Sequence, residues 1–177
     1  MEGWHGLAAA VLLSLERLFY VWVWRAPGAF RDACAGVPLP QMVDPGDTLR
    51  FFFCGFKLLQ SAVFVGWCYL YGRGLLWPSA PGVFLVLGCV LLTFGQTLNL
   101  GVFYRLGAVG VFYGNRFGYD IRWCREFPFS LCDHPQYVGA VLSIWGFFLI
   151  MRFPHSDWSV IPLLETVYYA LGAYWER

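Results

Sequence analysis

Asp133 and His134 stand side by side in a polar run from Tyr104 to Tyr137, YRLGAVGVFYGNRFGYDIRWCREFPFSLCDHPQY. A carboxylate beside an imidazole can take up and release protons near neutral pH, and His134 is the only histidine in the run. A plainer role competes. Asp133 can cap a helix that begins at Pro135, because aspartate suits an N-cap and proline a first turn, and His134 is then a bystander. The same run holds Gly107, Gly110, Gly114 and Gly118, spaced three, four and four. On one helix these fall on one face and leave a groove without side chains. Such a groove suits a flat ligand such as an adenosine, or the close approach of a second helix.

The segments around the run decide what kind of protein holds it. Of the 177 residues, 59% are hydrophobic, 20% aromatic and only 13% charged, which is too apolar for a soluble domain of this length. The net charge of +1 comes from dispersed basic residues, so nothing points to nucleic acid. Crossing about 30 Å of hydrocarbon takes roughly 20 residues. Candidate spans run from Trp4 to Trp24, Phe51 to Tyr71 and Pro81 to Phe103, and after the polar run from Tyr137 to Met151 and Trp158 to Trp175. Only Arg152 to Asp157 separates the last two, so they are expected to form a helical hairpin. Trp4, Trp24, Trp67, Trp77, Trp158 and Trp175 fall near span ends, as interfacial indoles do. The opening MEGWHG has an acid and no basic stretch, so the first apolar segment is expected to remain as a membrane helix.

These features predict an all-α membrane bundle of four to five spans, one domain over 1–177 with its catalytic segment at about 104–177. Arginines 25, 31, 50, 105, 116, 122 and 125 lie in the two long connections, against Arg73 and Arg152 in the short ones. The bias places both long connections in the cytosol. If both C-terminal segments cross, Glu176 returns to that face beside the polar run; a single broken helix would leave it on the other side.

Glu16, Arg17, Lys57, Gln96, Asn99 and Glu165 lie inside the candidate spans and are expected to point into the bundle, many of them pairing with one another. Glu165 could instead face a cavity where the hairpin meets the polar run. The six cysteines lack CxxC spacing, and Cys124, Cys132 and His134 fall short of a zinc signature, so no metal is expected. No strand leads into a GxGxxG turn, so a nucleotide-like ligand would be held by the membrane fold itself.

The stretch FGQTLNLGVFYRLGAVGVFYGNRFGYDI, followed by EFPFSLCDHPQYVGAVLS and a hairpin closing on Glu176, resembles the phospholipid N-methyltransferase family, most closely its plant-type phosphatidyl-N-methylethanolamine N-methyltransferases. The likeness covers about residues 90–177, and the first half only by span layout. His134-Pro135-x-Tyr137 is also similar to isoprenylcysteine carboxyl methyltransferases. The resemblance implies an endoplasmic-reticulum enzyme that moves the methyl of S-adenosylmethionine to the amine of a phosphatidylethanolamine derivative, on the way to phosphatidylcholine. It associates Gly107, Gly110, Gly114 and Glu176 with the methyl donor. Two departures stand out: Arg177 replaces the second glutamate of many relatives, and Gly107-Ala-Val-Gly110 is one residue wider than the Gly-x-Gly of some.

Methyl transfer needs a neutral amine, and an ammonium of this kind loses its proton near pH 10, by analogy with lysine. His134 or Asp133 is the candidate base. Arg116, Arg122 and Arg125 suit a lipid phosphate. Tyr113, Phe117, Phe127, Phe129 and Tyr137 could face a sulfonium through cation–π contacts. Two other functions fit less of the run. Methylation of a prenylcysteine carboxylate needs no amine base, and a non-catalytic scaffold leaves the arginines, Asp133, His134 and Glu176 without a task.

Overall fold

The computed structural model describes residues 3–36, 44–72, 74, 77–78, 80–122 and 124–176; Arg73 and Arg177 lie outside them. Six α-helices follow in order: α1 Gly3–Arg25, α2 Pro27–Ala35, α3 Pro45–Tyr71, α4 Gly82–Val111, α5 Pro135–Ile150 and α6 Val160–Trp175. Short 3-10 turns sit at Gly114–Phe117 and Ser156–Ser159. Helices α1 and α3, and α4 with the turn after it, are long and apolar enough to cross a membrane. The chain is thus the all-α membrane bundle expected, with α5 and α6 as the short arms of the C-terminal hairpin.

Proline opens α2, α3 and α5 within the first turn, where its fixed φ helps and its missing N–H costs nothing. The start of α3 is further fixed by Asp44, whose Oδ1 accepts from the amides of Gly46 at 2.8 Å and Asp47 at 3.1 Å. Its Oδ2 accepts from the Tyr119 hydroxyl at 2.8 Å, tying α3 to the segment after α4. Partial burial pushes this carboxyl up, but the three hydrogen bonds outweigh it and hold it below the ordinary value of 3.8. A depressed pKa means stability that is full above the unfolded value and lost as pH falls through the folded one. Asp44→Ala should therefore cost about 1 kcal/mol at neutral pH. The difference from the parent should shrink in thermal unfolding as pH falls below 3.8 and through the lowered value of this carboxyl.

Helix α2 lies inside what the sequence suggests is a plain connection. Its Phe30 and Cys34, four apart, are buried, and Phe30 packs against Trp22 and Phe117. The apolar face of this short helix is thus spent on α1 and the turn after α4, which it ties together.

Contacts at the helix ends fix the direction of each crossing. His5 of α1 meets Tyr71 of α3 at 3.2 Å, and the Trp67 indole donates to the Asp157 carbonyl at 2.9 Å, so these belong to one end of the bundle. At the other end, Arg25 of α1 donates to the Trp175 carbonyl at 3.2 Å. Consecutive long helices are antiparallel, and α5 and α6 each run between these two ends of the bundle. Glu176 consequently emerges beside the polar run.

The tightest seam joins α4 and α5. Gly88 and Gly95 on one helix face Gly146 and Gly139 on the other, seven residues apart in each case. A Cβ placed on Gly95 would lie 2.5 Å from the Gly139 carbonyl oxygen, and one on Gly146 would lie 2.7 Å from that of Gly88. Close backbone approach through small residues, expected along Gly107 to Gly118, occurs here instead. The expected single helix face is overturned by backbone geometry: Gly107 has φ of 63°, α4 stops at Val111, and Gly118 has φ of 93°. Left-handed residues break the helical period, so the four glycines share no face.

Candidate active site

A cavity of about 730 Å³ lies between α1, α3, α4 and α5 at the end that carries the polar run. Its size is that of a small-molecule site, roughly 300–1,000 Å³. Glu176, the residue that closes α6, stands in its wall. The Tyr113 hydroxyl donates to Glu176 Oε1 at 2.8 Å and the Tyr137 hydroxyl donates to Oε2. Tyr113 reaches that position from a left-handed backbone, φ 57°, the one non-glycine with positive φ among the described residues. Left-handed tyrosine is costly and persists where the surroundings hold it, here between Trp24 at 5.3 Å and the carboxylate. Arg25 holds the preceding carbonyl, so the acidic group is fixed by α1, α5 and the turn after α4 together.

Beneath Glu176 the charges of α1 and α3 form a buried chain. The Arg17 guanidinium lies 3.8 Å from the ring centre of Tyr169 and 5.8 Å from that of Tyr137. Glu16 Oε1 pairs with Arg17 at 3.1 Å and with Lys57 Nζ at 3.0 Å. Lys57 also donates to Gln60 at 3.0 Å and to the Tyr169 hydroxyl at 3.3 Å, and Gln60 donates to Glu165 at 2.7 Å. The intramembrane charges do pair with one another, as their burial in hydrocarbon requires. Glu165 is the innermost member, 1% exposed, and it sits behind the cavity rather than in its wall.

Gly110, Asp133, His134, Tyr137 and Glu176, each singled out in the sequence, come together around this volume and line it. Helix α5 begins at Pro135 as read, but its N-cap is His134 and no side chain caps it, so Asp133 is left exposed at the mouth. Asp133 and His134 make no hydrogen bond to each other; the imidazole is half-buried and stacked on Tyr137 with ring centres 5.8 Å apart. Burial, with the Asp133 carboxylate adding to it, raises the Cys132 thiol against an opposing contact with the His134 backbone. This cysteine therefore stays protonated.

Other residues named from the sequence lie away from the cavity. Gly107 faces open space, and Gly114 is buried against the Val109 carbonyl, 2.6 Å from where its Cβ would be, so neither borders the cavity. Arg122 and Arg125 lie exposed on a non-helical stretch outside it. Arg116 covers the outer face of Trp24 at 4.0 Å, with the indole between it and the cavity. Phe117 packs into the core against Phe30, whereas Tyr113, Phe129 and Tyr137 do face the cavity. Sequence reading missed Tyr20, Trp24 and Gln60, and it placed Arg17 and Lys57 in the interior without assigning them to a site. All five line the cavity, so the site extends beyond 104–177 into α1 and α3. The available signal was the pair of buried charges in helices otherwise apolar.

Comparison with known proteins gives the geometry a context. Residues 83–177 match the family model described as phospholipid methyltransferase. The chain is 33% identical to the phosphatidyl-N-methylethanolamine N-methyltransferase of Arabidopsis thaliana over 78% of its own length and 76% of the relative's. It is 34% identical to the Saccharomyces cerevisiae enzyme of the same name and 38% identical to the phosphatidylethanolamine N-methyltransferase of Rattus norvegicus. Each of these two alignments covers 51% of this chain, and they cover 44% and 45% of the respective relatives. No solved structure matches significantly. With more than half of its length matched by the family model, and with a relative of this identity over most of both chains, the protein belongs to the phospholipid methyltransferase family.

Proposed function

We propose that this protein is an endoplasmic-reticulum membrane enzyme that methylates the nitrogen of phosphatidyl-N-methylethanolamine, and of the dimethyl form, to give phosphatidylcholine, with S-adenosylmethionine as methyl donor. The observation that carries the reading is Glu176, a carboxylate held by two tyrosine hydroxyls in the wall of a cavity bounded by membrane helices. The chemistry of the cavity fits the donor. A fixed carboxylate suits an ammonium or ribose hydroxyls, and tyrosine and tryptophan faces suit a cation. When bound, S-adenosylmethionine supplies an electrophilic methyl on a sulfonium.

The chain's own residues do the rest. Val65 of α3 and Leu100 of α4 line the cavity while remaining 47% and 68% exposed, so the cavity wall is continuous with the lipid-facing surface. A headgroup can enter while its acyl chains stay in the bilayer, which fixes acceptor and donor at short range. His134 at the mouth is placed to take the proton that the acceptor ammonium must lose, with the exposed Asp133 next to it as the alternative acceptor. Activity should rise with pH as the amine becomes neutral. His134→Ala should flatten that rise in a profile of kcat against pH; an unchanged profile assigns the proton to Asp133 or to water.

The test of the function itself is mass spectrometry of lipids after the purified protein is incubated with isotope-labelled S-adenosylmethionine and mixed phospholipids. Label is expected in dimethylated phosphatidylethanolamine and in phosphatidylcholine, the products of the two proposed acceptors. Label on an added prenylcysteine and none on phospholipid would overturn the substrate assignment.

A further inference from the structure

We infer that Arg17 and Tyr20 form a receiving site for an anionic oxygen group, a carboxylate or a phosphate, in the wall of the cavity. The two residues are three apart on α1 and so share a face, and both line the cavity while being only 6% and 8% exposed. Their hydrogen-bonding capacity is unspent. Arg17 Nε and the Tyr20 hydroxyl are buried and without a partner, although Arg17 Nη2 is paired with Glu16. Lys57, the other cation of the cavity wall, differs: Glu16, Gln60 and Tyr169 already surround its ammonium. A donor left unmade inside a membrane bundle has no water to turn to, so two such donors bordering one cavity point to an acceptor that arrives with a ligand.

Two further observations sharpen the chemistry. The Arg17 guanidinium carbon lies over the Tyr169 ring, 3.8 Å from its centre, a contact that helps to hold the group in place before anything binds. On α4, Asn99 also lines the cavity; its Oδ1, which can only accept, lacks a partner and lies beside Gly139. Spare donors on one wall and a spare acceptor on another suit a ligand that carries both an oxygen anion and an ammonium. The amino-acid end of the methyl donor is one such group and a phosphoethanolamine headgroup is another; the choice between them rests on the function proposed above. Glu16 and Glu165 already balance the charges of Arg17 and Lys57 by count, so recognition here works through hydrogen bonds more than through net charge.

Tyr20→Phe tests the inference with little risk to the fold, because the lost hydroxyl has no partner in the protein. Its melting temperature in detergent should equal or exceed that of the parent. In calorimetric titration, S-adenosylhomocysteine should bind about tenfold more weakly to the variant if the donor carboxylate sits here, the loss typical of one hydrogen bond to a charged group. The decarboxylated analogue of S-adenosylhomocysteine should then bind both proteins equally. If the phosphate sits here instead, S-adenosylhomocysteine affinity stays constant and the KM for phosphatidyl-N-methylethanolamine rises about tenfold. Arg17→Lys should weaken the same ligand as Tyr20→Phe. Folded variants with unchanged affinity for both ligands would overturn the site. A parent protein that binds S-adenosylhomocysteine in a Tyr20-dependent way yet methylates no phospholipid would overturn the proposed function and leave the site standing.

Discussion

Glu176→Gln should weaken S-adenosylmethionine binding by about 1.5–3 kcal/mol, the range for a hydrogen bond to a charged group, while leaving the bundle folded. The carboxylate accepts from two hydroxyls at once, Tyr113 on one oxygen and Tyr137 on the other. An amide keeps one acceptor and turns an NH₂ toward the second phenol, so one of the two contacts must reverse or break. The negative charge at the cavity wall is lost as well, and with it the attraction for a cationic donor. Tyr113→Phe and Tyr137→Phe should each reproduce part of the loss, because each releases one side of the carboxylate. Equilibrium binding of S-adenosylmethionine to detergent-solubilised protein measures all three. Full affinity in the Gln variant would place the donor elsewhere.

A second large effect is expected at the α4–α5 seam. Gly139→Leu should abolish the native fold, because a Cβ there already lies 2.6 Å from the Gly95 carbonyl oxygen and 2.7 Å from Asn99 Oδ1. The nearest obstacle is backbone, which cannot rotate away, so the helices must separate along their length. Ordinary overpacking costs about 1–3 kcal/mol; here the displacement would also open the cavity wall that Asn99, Ala140 and Ser143 build. Gly55→Ala is the control. Gly55 is exposed on α3 with nothing near its missing Cβ, and alanine there should add stability of up to about 1 kcal/mol through helix propensity alone. The fraction of monodisperse protein and its melting temperature report both. A well-folded Gly139→Leu would mean that α4 and α5 do not meet as described.

The long spans are legible because length and apolar composition are nearly sufficient conditions for a membrane helix, whereas the parity of the hairpin depends on whether its two arms form one helix or two. Glu176 stands out through the family resemblance, and a hairpin with two full arms is the condition under which it lies beside the polar run, where Tyr113 and Tyr137 meet it. The glycine ladder misled because a spacing of three and four describes a face only if the helix is continuous. Nothing in the residue types of Gly107 or Gly118 announces a positive φ, since glycine is equally at home on either side. Conversely, Gly88, Gly95, Gly139 and Gly146 sit in apolar runs where small residues attract no notice, and their pairing depends on which helices are neighbours. Arg122 and Arg125 were assigned by chemical type, but side-chain chemistry does not say which way a non-helical segment faces. Arg17 could be placed in the interior on cost alone; that it borders a cavity depends on where Tyr137 and Tyr169 arrive from the far end of the chain.

The hairpin has one more consequence, set by its length. Helices α5 and α6 have 16 residues each. At 1.5 Å per residue they rise about 24 Å, short of the roughly 30 Å of hydrocarbon in an average bilayer. Helices α1, α3 and α4 have no such shortfall, so the protein presents a full-thickness flank and a thin one. Around the thin flank the two leaflets must pinch inward, at a modest cost for each ångström of mismatch. A membrane with a core near 27 Å halves the mismatch, whereas a sterol-thickened one enlarges it and draws the end bearing Glu176 away from water. Bilayer thickness thereby becomes a variable of turnover in its own right, and reconstitution in phosphatidylcholines of graded chain length should show the highest activity in the shorter ones.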